Sequence, residues 1–260
     1  MILQLTRHTV KRLLALAIFT ASLTLAAVAA DDSPTTLMTR PGRLLVSEDF
    51  SKPLPPPVGS TAQFASGFKG WRCNVVERGG HWDVVDGTFR GVENPAVNHP
   101  ATASIGFDFK NVVIACEVRL HDVPLDGRKS RGFSVRTTDA KDYVCSLMLN
   151  TNGFRIEKSD NDHGGPDKPV PFGAVIMPIK LGEWQKVVIE ILGDEMVGTV
   201  NGRSLTGQHP LIGTDKKSIM FVSQAEGAVR HLRVWEAEPD PGWAKNRQKL
   251  TRESRTVGRK

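Results

Sequence analysis

The run Trp184-Gln185-Lys186-Val187-Val188-Ile189-Glu190-Ile191-Leu192-Gly193-Asp194-Glu195-Met196-Val197-Gly198-Thr199-Val200-Asn201-Gly202-Arg203-Ser204-Leu205 decides the fold. Val187, Ile189 and Ile191 alternate with Lys186, Val188 and Glu190. A period of two with one wet face is the mark of an antiparallel strand. Gly193-Asp194 signals a turn. Met196 to Val200, Asn201-Gly202 and Arg203 to Leu205 then read as a hairpin, because Asn-Gly readily takes the two positive φ values of a type I′ turn.

The same grammar extends in both directions. Ile114, Cys116, Val118 and Leu120 alternate with Glu117 and Arg119. Phe133 and Val135 alternate with Ser134 and Arg136, and Phe154 and Ile156 with Arg155 and Glu157. Arg78-Gly79-Gly80, Asp86-Gly87 and Asn152-Gly153 supply further turns. The pattern predicts roughly a dozen strands and no amphipathic helix between residues 43 and 238. Two-faced strands must be stacked as two sheets, so the fold class is all-β, a two-sheet antiparallel jelly-roll sandwich. No repeat of fixed period is present.

Composition agrees. The 260 residues are 40% hydrophobic and 24% charged, with 24 Gly, 16 Pro and 3 Cys. Such a chain is neither disordered, collagen-like nor a disulfide-framed miniprotein. The formal charge of +6 is concentrated at the ends. Residues 1–30 hold Arg7, Lys11 and Arg12 and no acid, while residues 241–260 hold seven Lys/Arg and Glu253 alone among acids. Taking these off the totals of 34 basic and 28 acidic residues leaves 24 basic and 27 acidic in residues 31–240. That balance does not support a nucleic-acid partner.

Arg7, Lys11 and Arg12, the apolar stretch Leu13 to Leu25, and the small residues Ala27-Val28-Ala29-Ala30 have the layout of a secretory signal peptide. The apolar run is short for a membrane span of about 20 residues. Cleavage near Ala30 is expected, with an uncleaved anchor as the alternative, and the mature chain is expected to be secreted or periplasmic without a membrane span. Residues 31–42 read as a linker, 43–238 as the sandwich domain and 239–260 as a basic tail that begins as a short helix. Lys52-Pro53-Leu54-Pro55-Pro56-Pro57 cannot lie inside a sheet. Cys116 and Cys145 read as core-facing thiols, with a Cys116–Cys145 bridge as the alternative.

Glu117, Arg119, Arg136, Asn150, Arg155, Glu157, Lys186 and Glu190 are all predicted to point away from the core. If their strands share a sheet they form a polar face suited to sugar hydroxyls. The alternative is a solvated face with cross-strand ion pairs. Glu117 and Glu190 are the candidate acid and base. The Glu-x-Asp-x-Glu spacing of strand-borne retaining glucanase sites is absent.

The loop Ser159-Asp160-Asn161-Asp162-His163-Gly164-Gly165-Pro166-Asp167-Lys168 offers Asp160, Asp162 and Asp167 as oxygen ligands for Ca²⁺, and His163 for a transition-metal or acid–base site. It also reads as a plain surface loop or as a lid over substrate. His81, His99, His121 and His209 read as turn residues. Trp71, Trp82 and Trp235 are assigned to the core. Trp184 is the aromatic most open to a sugar ring, since Val187, Ile189 and Ile191 occupy the other face. No P-loop, Rossmann fingerprint, Gly-x-Ser-x-Gly elbow or His-Glu-x-x-His is present.

His81-Trp82-Asp83-Val84-Val85-Asp86-Gly87, Gly182-Glu183-Trp184-Gln185-Lys186-Val187-Val188-Ile189-Glu190, Val200-Asn201-Gly202 and Leu232-Arg233-Val234-Trp235, in that order, resemble the secreted 3-keto-disaccharide hydrolase domain family. The resemblance covers roughly residues 43–238. It implies a concanavalin A-like lectin/glucanase fold, a carbohydrate partner and hydrolysis of 3-keto-disaccharides or related glycosides. Arg131-Gly132-Phe133-Ser134-Val135-Arg136 stands where many members carry Asn-Ser-Gly and a following Arg. Laminin-G-like modules share the same skeleton. A non-catalytic glycan-binding module of the cell envelope is therefore the second expectation, and an envelope protein held by its basic tail the third.

Overall fold

A computed structural model describes residues 33–52, 64–66, 70–97, 99–128, 130–159 and 168–257. The signal-like residues 1–30, Pro53 to Pro57, and Asp160, Asp162, His163 and Asp167 lie outside the described residues. The described chain forms sixteen strands and one long helix.

Sheet I contains β1 (Thr39–Glu48), β4 (Gly80–Val85), β5 (Thr88–Glu93), β7 (Val112–Leu120), β12 (Trp184–Leu192), β13 (Glu195–Val200), β14 (Arg203–Gln208) and β16 (Glu226–Pro239). Its order is β14-β13-β12-β7-β16-β5-β4. Strand β16 is long enough to carry two partners on one edge: β5 pairs with Glu226 to Val229, and β1 with Leu232 to Pro239. Sheet II contains β2 (Phe64–Ser66), β3 (Trp71–Asn74), β6 (Ala101–Phe109), β8 (Gly132–Thr138), β9 (Tyr143–Asn150), β10 (Gly153–Lys158), β11 (Val170–Ile176) and β15 (Lys216–Gln224), ordered β11-β10-β9-β8-β15-β6-β3-β2. Every pairing is antiparallel, as the alternation predicted.

The inner faces meet in one core. Ile114, Cys116 and Val118 of β7 and Val187, Ile189 and Ile191 of β12 lie within it, together with Leu147, Ile156 and Phe221 from sheet II. An aromatic cluster fills one end. Trp82 sits 4.6 Å from Phe89 between ring centroids, and Trp71 sits 5.2 Å from Phe221. All three cysteines are buried and free, so the bridge alternative is not formed.

The hairpin of β13 and β14 turns at Asn201 and Gly202, with φ of 47° and 78°. Asp86 and Gly87 make the same turn between β4 and β5, with φ of 49° and 70°. Lys216 is wholly buried, and its ammonium donates to the carbonyls of Lys110, Ile212 and Thr214 at 2.7–3.0 Å.

The ends of the chain differ from expectation. Strand β1 begins at Thr39, inside the stretch read as a linker, and Met38 and Thr39 are buried. The tail is a docked helix, α1 (Trp243–Val257). Trp243 Nε1 donates to Glu195 at 3.0 Å, Arg247 pairs with the same carboxylate at 3.0 Å, and Asn246 donates to the Leu37 carbonyl at 2.8 Å. Pro239 and Pro241 do end the last strand, but the chain folds back onto the sandwich beyond them.

Candidate functional site

The residues expected to share one polar face divide between two. Glu117, Arg119, Trp184, Lys186 and Glu190 belong to β7 and β12 of sheet I, whereas Arg136, Asn150, Arg155 and Glu157 belong to β8, β9 and β10 of sheet II. Alternation tells which side of its own sheet a side chain takes, not which sheet it joins.

On sheet II a continuous row crosses six strands: Arg72, Ser104, Met220, Arg136, Ser146 and Glu157 are successive cross-strand partners. The serines flanking the centre are short, so the row is lowest on either side of Met220 and Arg136. The Arg136 guanidinium stacks 5.0 Å from the Tyr143 ring centroid. Its Nε is buried and has no hydrogen-bond partner among the described residues. Burial pushes the Arg136 pKa down, and Glu157 and Tyr143 oppose that shift. Ser146 Oγ donates to Glu157 at 3.4 Å, and Arg155 lies 3.6 Å from the same carboxylate. Arg155 itself is exposed and leans on the Met148 sulfur at 3.5 Å. Asn150 does not join the row: its side-chain oxygen accepts from the Asn152 N–H at 2.8 Å and shapes the β9–β10 turn.

On sheet I the register places Asp83, Arg90, Ala228, Arg119 and Trp184 in one row across five strands. Lys186, Glu117 and Arg230 form the next. A cleft of about 260 Å³ opens here, lined by Arg90, Arg119, His121, Trp184, Arg230 and the Val85-Asp86 turn. Trp184 is half-buried rather than open. The guanidinium carbons of Arg119 and Arg230 lie 4.5 and 4.3 Å from its ring centroid.

Arg90 is bidentate to Asp83 at 3.0 and 2.8 Å. Arg230 Nε donates to Glu117 at 2.5 Å, and His231, at a bulge with φ of 52°, lies 3.4 Å from that carboxylate. His121 Nδ1 is 2.8 Å from Glu226, while its Nε2 accepts from Arg119 Nε at 3.2 Å. That pair of contacts assigns the proton to Nδ1. Burial lowers the His121 pKa against the pull of Glu226, with Arg119 and Arg90 adding to the fall.

Glu190 sits on the outer side of sheet I, as its phase predicted, yet it is 1% exposed. The chain's own N-terminal segment covers it. Its carboxylate accepts from the backbone N–H groups of Leu37, Met38 and Thr39 at 2.7–3.0 Å and from the Thr39 hydroxyl at 2.9 Å. Its carboxylate is engaged in holding the start of β1 and no contact joins it to Glu117, so the two do not form an acid–base pair. Sequence reasoning missed Arg230 and Arg90 as members of the cleft, and Glu226 as the carboxylate behind His121. His121, which reads as a turn residue, lines the cleft and bridges Arg119 to Glu226. Their signal was the phase of β16 and β5, two strands whose alternation Gly227 and Gly91 interrupt.

No family model matches the sequence, and no curated protein matches it. Among solved structures, the carbohydrate-binding module CBM66 from Bacillus subtilis superposes with a TM-score of 0.51 at 12% identity, over 64% of this chain and 96% of its own. The chain shares that sandwich fold. LamAcat from Zobellia galactanivorans superposes at 0.49 with 8% identity, over 75% of this chain and 98% of its own. A Bacillus subtilis protein of unknown function with a galectin-like fold also superposes at 0.49, with 11% identity over 78% of this chain and 100% of its own.

Proposed function

We propose that the protein binds carbohydrate across the outer face of sheet II, with Arg136 at the centre of the site. The observation that carries this reading is the orphaned Nε of a guanidinium sunk between short side chains. A buried donor without an acceptor costs about 1–3 kcal/mol. A ligand that lays oxygen atoms beside Arg136 and Ser146 offsets that cost. Pairs of sugar hydroxyls match the fork of Arg, Tyr143 adds an apolar ring edge, and Glu157 accepts from a further hydroxyl. The similarity to a carbohydrate-binding module supports the choice of ligand class. The signal-like residues 1–30 support an encounter outside the cytoplasm.

The test is a binding titration of the purified protein against 3-keto-disaccharides, their unoxidised parents and β-glucan oligosaccharides, with mass spectrometry of each mixture. Saturable binding that falls about tenfold or more in Arg136→Gln, with no cleavage, is the expected result. Binding untouched by that change would remove the site from this face. Turnover of the keto sugars would replace the binding reading by the hydrolysis that the sequence resemblance implies.

A further inference from the structure

The sheet I cleft has a charge pattern that folding alone does not explain. Two arginines are brought onto one indole ring, Arg119 and Arg230; Arg230 donates directly to Glu117, whereas Glu226 acts on Arg119 only from beyond contact distance. Arg119 forms no ion pair among the described residues, and its Nε is its single hydrogen-bonding atom, engaged by a neutral imidazole nitrogen. Both of its terminal nitrogens are therefore left without an acceptor, beside a cleft of about 260 Å³. Arg90, the third guanidinium of the lining, is already saturated by Asp83 and also lies 3.7 Å from Glu226. Ala228 lies between Arg90 and Arg119 in the register.

We propose that this cleft is a second binding site, on the sheet opposite to Arg136, for the carboxylate of a sugar acid: a hexuronate residue of an acidic glycan. Two parallel N–H groups on a planar guanidinium match a carboxylate in a bidentate pair. Trp184 holds that fork in place and limits its rotation, so little further order is lost on binding. The volume is below the roughly 300–1,000 Å³ of sites for drug-sized ligands and suits one sugar unit. Asp86, exposed on the turn at the rim, is a hydroxyl acceptor. An acceptor beside an anion-binding arginine favours a hydroxylated acid over a bare inorganic anion. The site does not depend on the Arg136 reading.

The proposal is tested by calorimetric titration at pH 7.5 and low ionic strength. The titrants are galacturonic acid trimers, their methyl esters, neutral galactose trimers and sodium sulfate. The acidic trimer is expected to bind, with the methyl ester and the neutral trimer at least about tenfold weaker. Arg119→Gln is expected to abolish the acidic preference, and Arg119→Lys to retain part of it. Equal binding of trimer and methyl ester by the unaltered protein overturns the proposal, and that measurement needs no variant to fold. Unchanged binding in a folded Arg119→Gln also overturns it. Sulfate bound as tightly as the trimer would reduce the cleft to a general anion site and defeat the assignment.

Discussion

Glu190 gathers four donors from one neighbouring segment, three of them backbone N–H groups. Hydrogen bonds to a buried charge are the strong ones, each contributing about 1.5–3 kcal/mol. Glu190→Gln removes the charge and turns one acceptor oxygen into a donor facing an N–H. The expected loss is about 2–4 kcal/mol in urea unfolding, with the m value unchanged. Hydrogen exchange at Met38 and Thr39 is expected to quicken more than at Val187 or Ile189, because the contact ties β1 down rather than the core. A loss of under about 0.5 kcal/mol would mean that β1 is held by its ladder to β16 instead. The residue also marks how far a sequence reaches. Its phase on the strand was legible, since Val187, Ile189 and Ile191 set it. What covers it was not, because Leu37 to Thr39 stand more than 150 residues away in the chain.

At the scale of elements, the two sheets approach closely at β13. A Cβ on Gly198 would lie 2.4 Å from Ile156 Cγ2 and 2.9 Å from Leu147 Cδ1, both in the packed core. Gly198→Ala is expected to destabilise by about 1–3 kcal/mol, read by thermal or chemical unfolding. The smaller conformational entropy of the unfolded chain argues the opposite sign for Gly→Ala where there is room, so the direction is diagnostic of the sheet-to-sheet contact. The helix α1 is the element that the sequence described least well. Its basic residues read as a tail, and Lys245, Arg247 and Lys249 are exposed, but Trp243 and Asn246 anchor its first turn. Truncation after Pro239 is expected to lower the melting temperature while preserving the β-sheet circular dichroism, because it bares Glu195 and the Leu37 carbonyl. An unchanged melting temperature would show that the helix contributes nothing to the sandwich. The hairpins fared better, since Asn201-Gly202 and Asp86-Gly87 encode their turns locally. The candidate faces fared worse. Arg136 and Arg119 were both legible as outward residues, but their division between two sheets depends on strand order, which local alternation does not contain.

For the molecule as a whole, the buried thiols set an alkaline limit. Burial pushes Cys73 and Cys116 up to about 12, from an unfolded value of 9.0. With the folded pKa raised, the stabilisation is complete below pH 9 and is lost as pH rises toward 12. Each thiol contributes a slope of about 1.4 kcal/mol per pH unit in that window. Lys216 acts in the opposite sense: burial lowers its pKa, so its contribution improves with rising pH up to the ordinary lysine value. The thiols are separated from it by comparison with Cys73→Ala/Cys116→Ala. The double variant is expected to show a much shallower fall in unfolding free energy between pH 9 and 11, and an identical pH profile would assign the alkaline limit elsewhere.

The long last strand has a consequence for the order of events during synthesis. The first strand of the sandwich has its place on the last, and β16 also separates β7 from β5 in the same sheet. Sheet I therefore cannot close until some two hundred residues have followed β1 out of the ribosome. Until β16 has been delivered, sheet I of the nascent chain stays open and without its central partner.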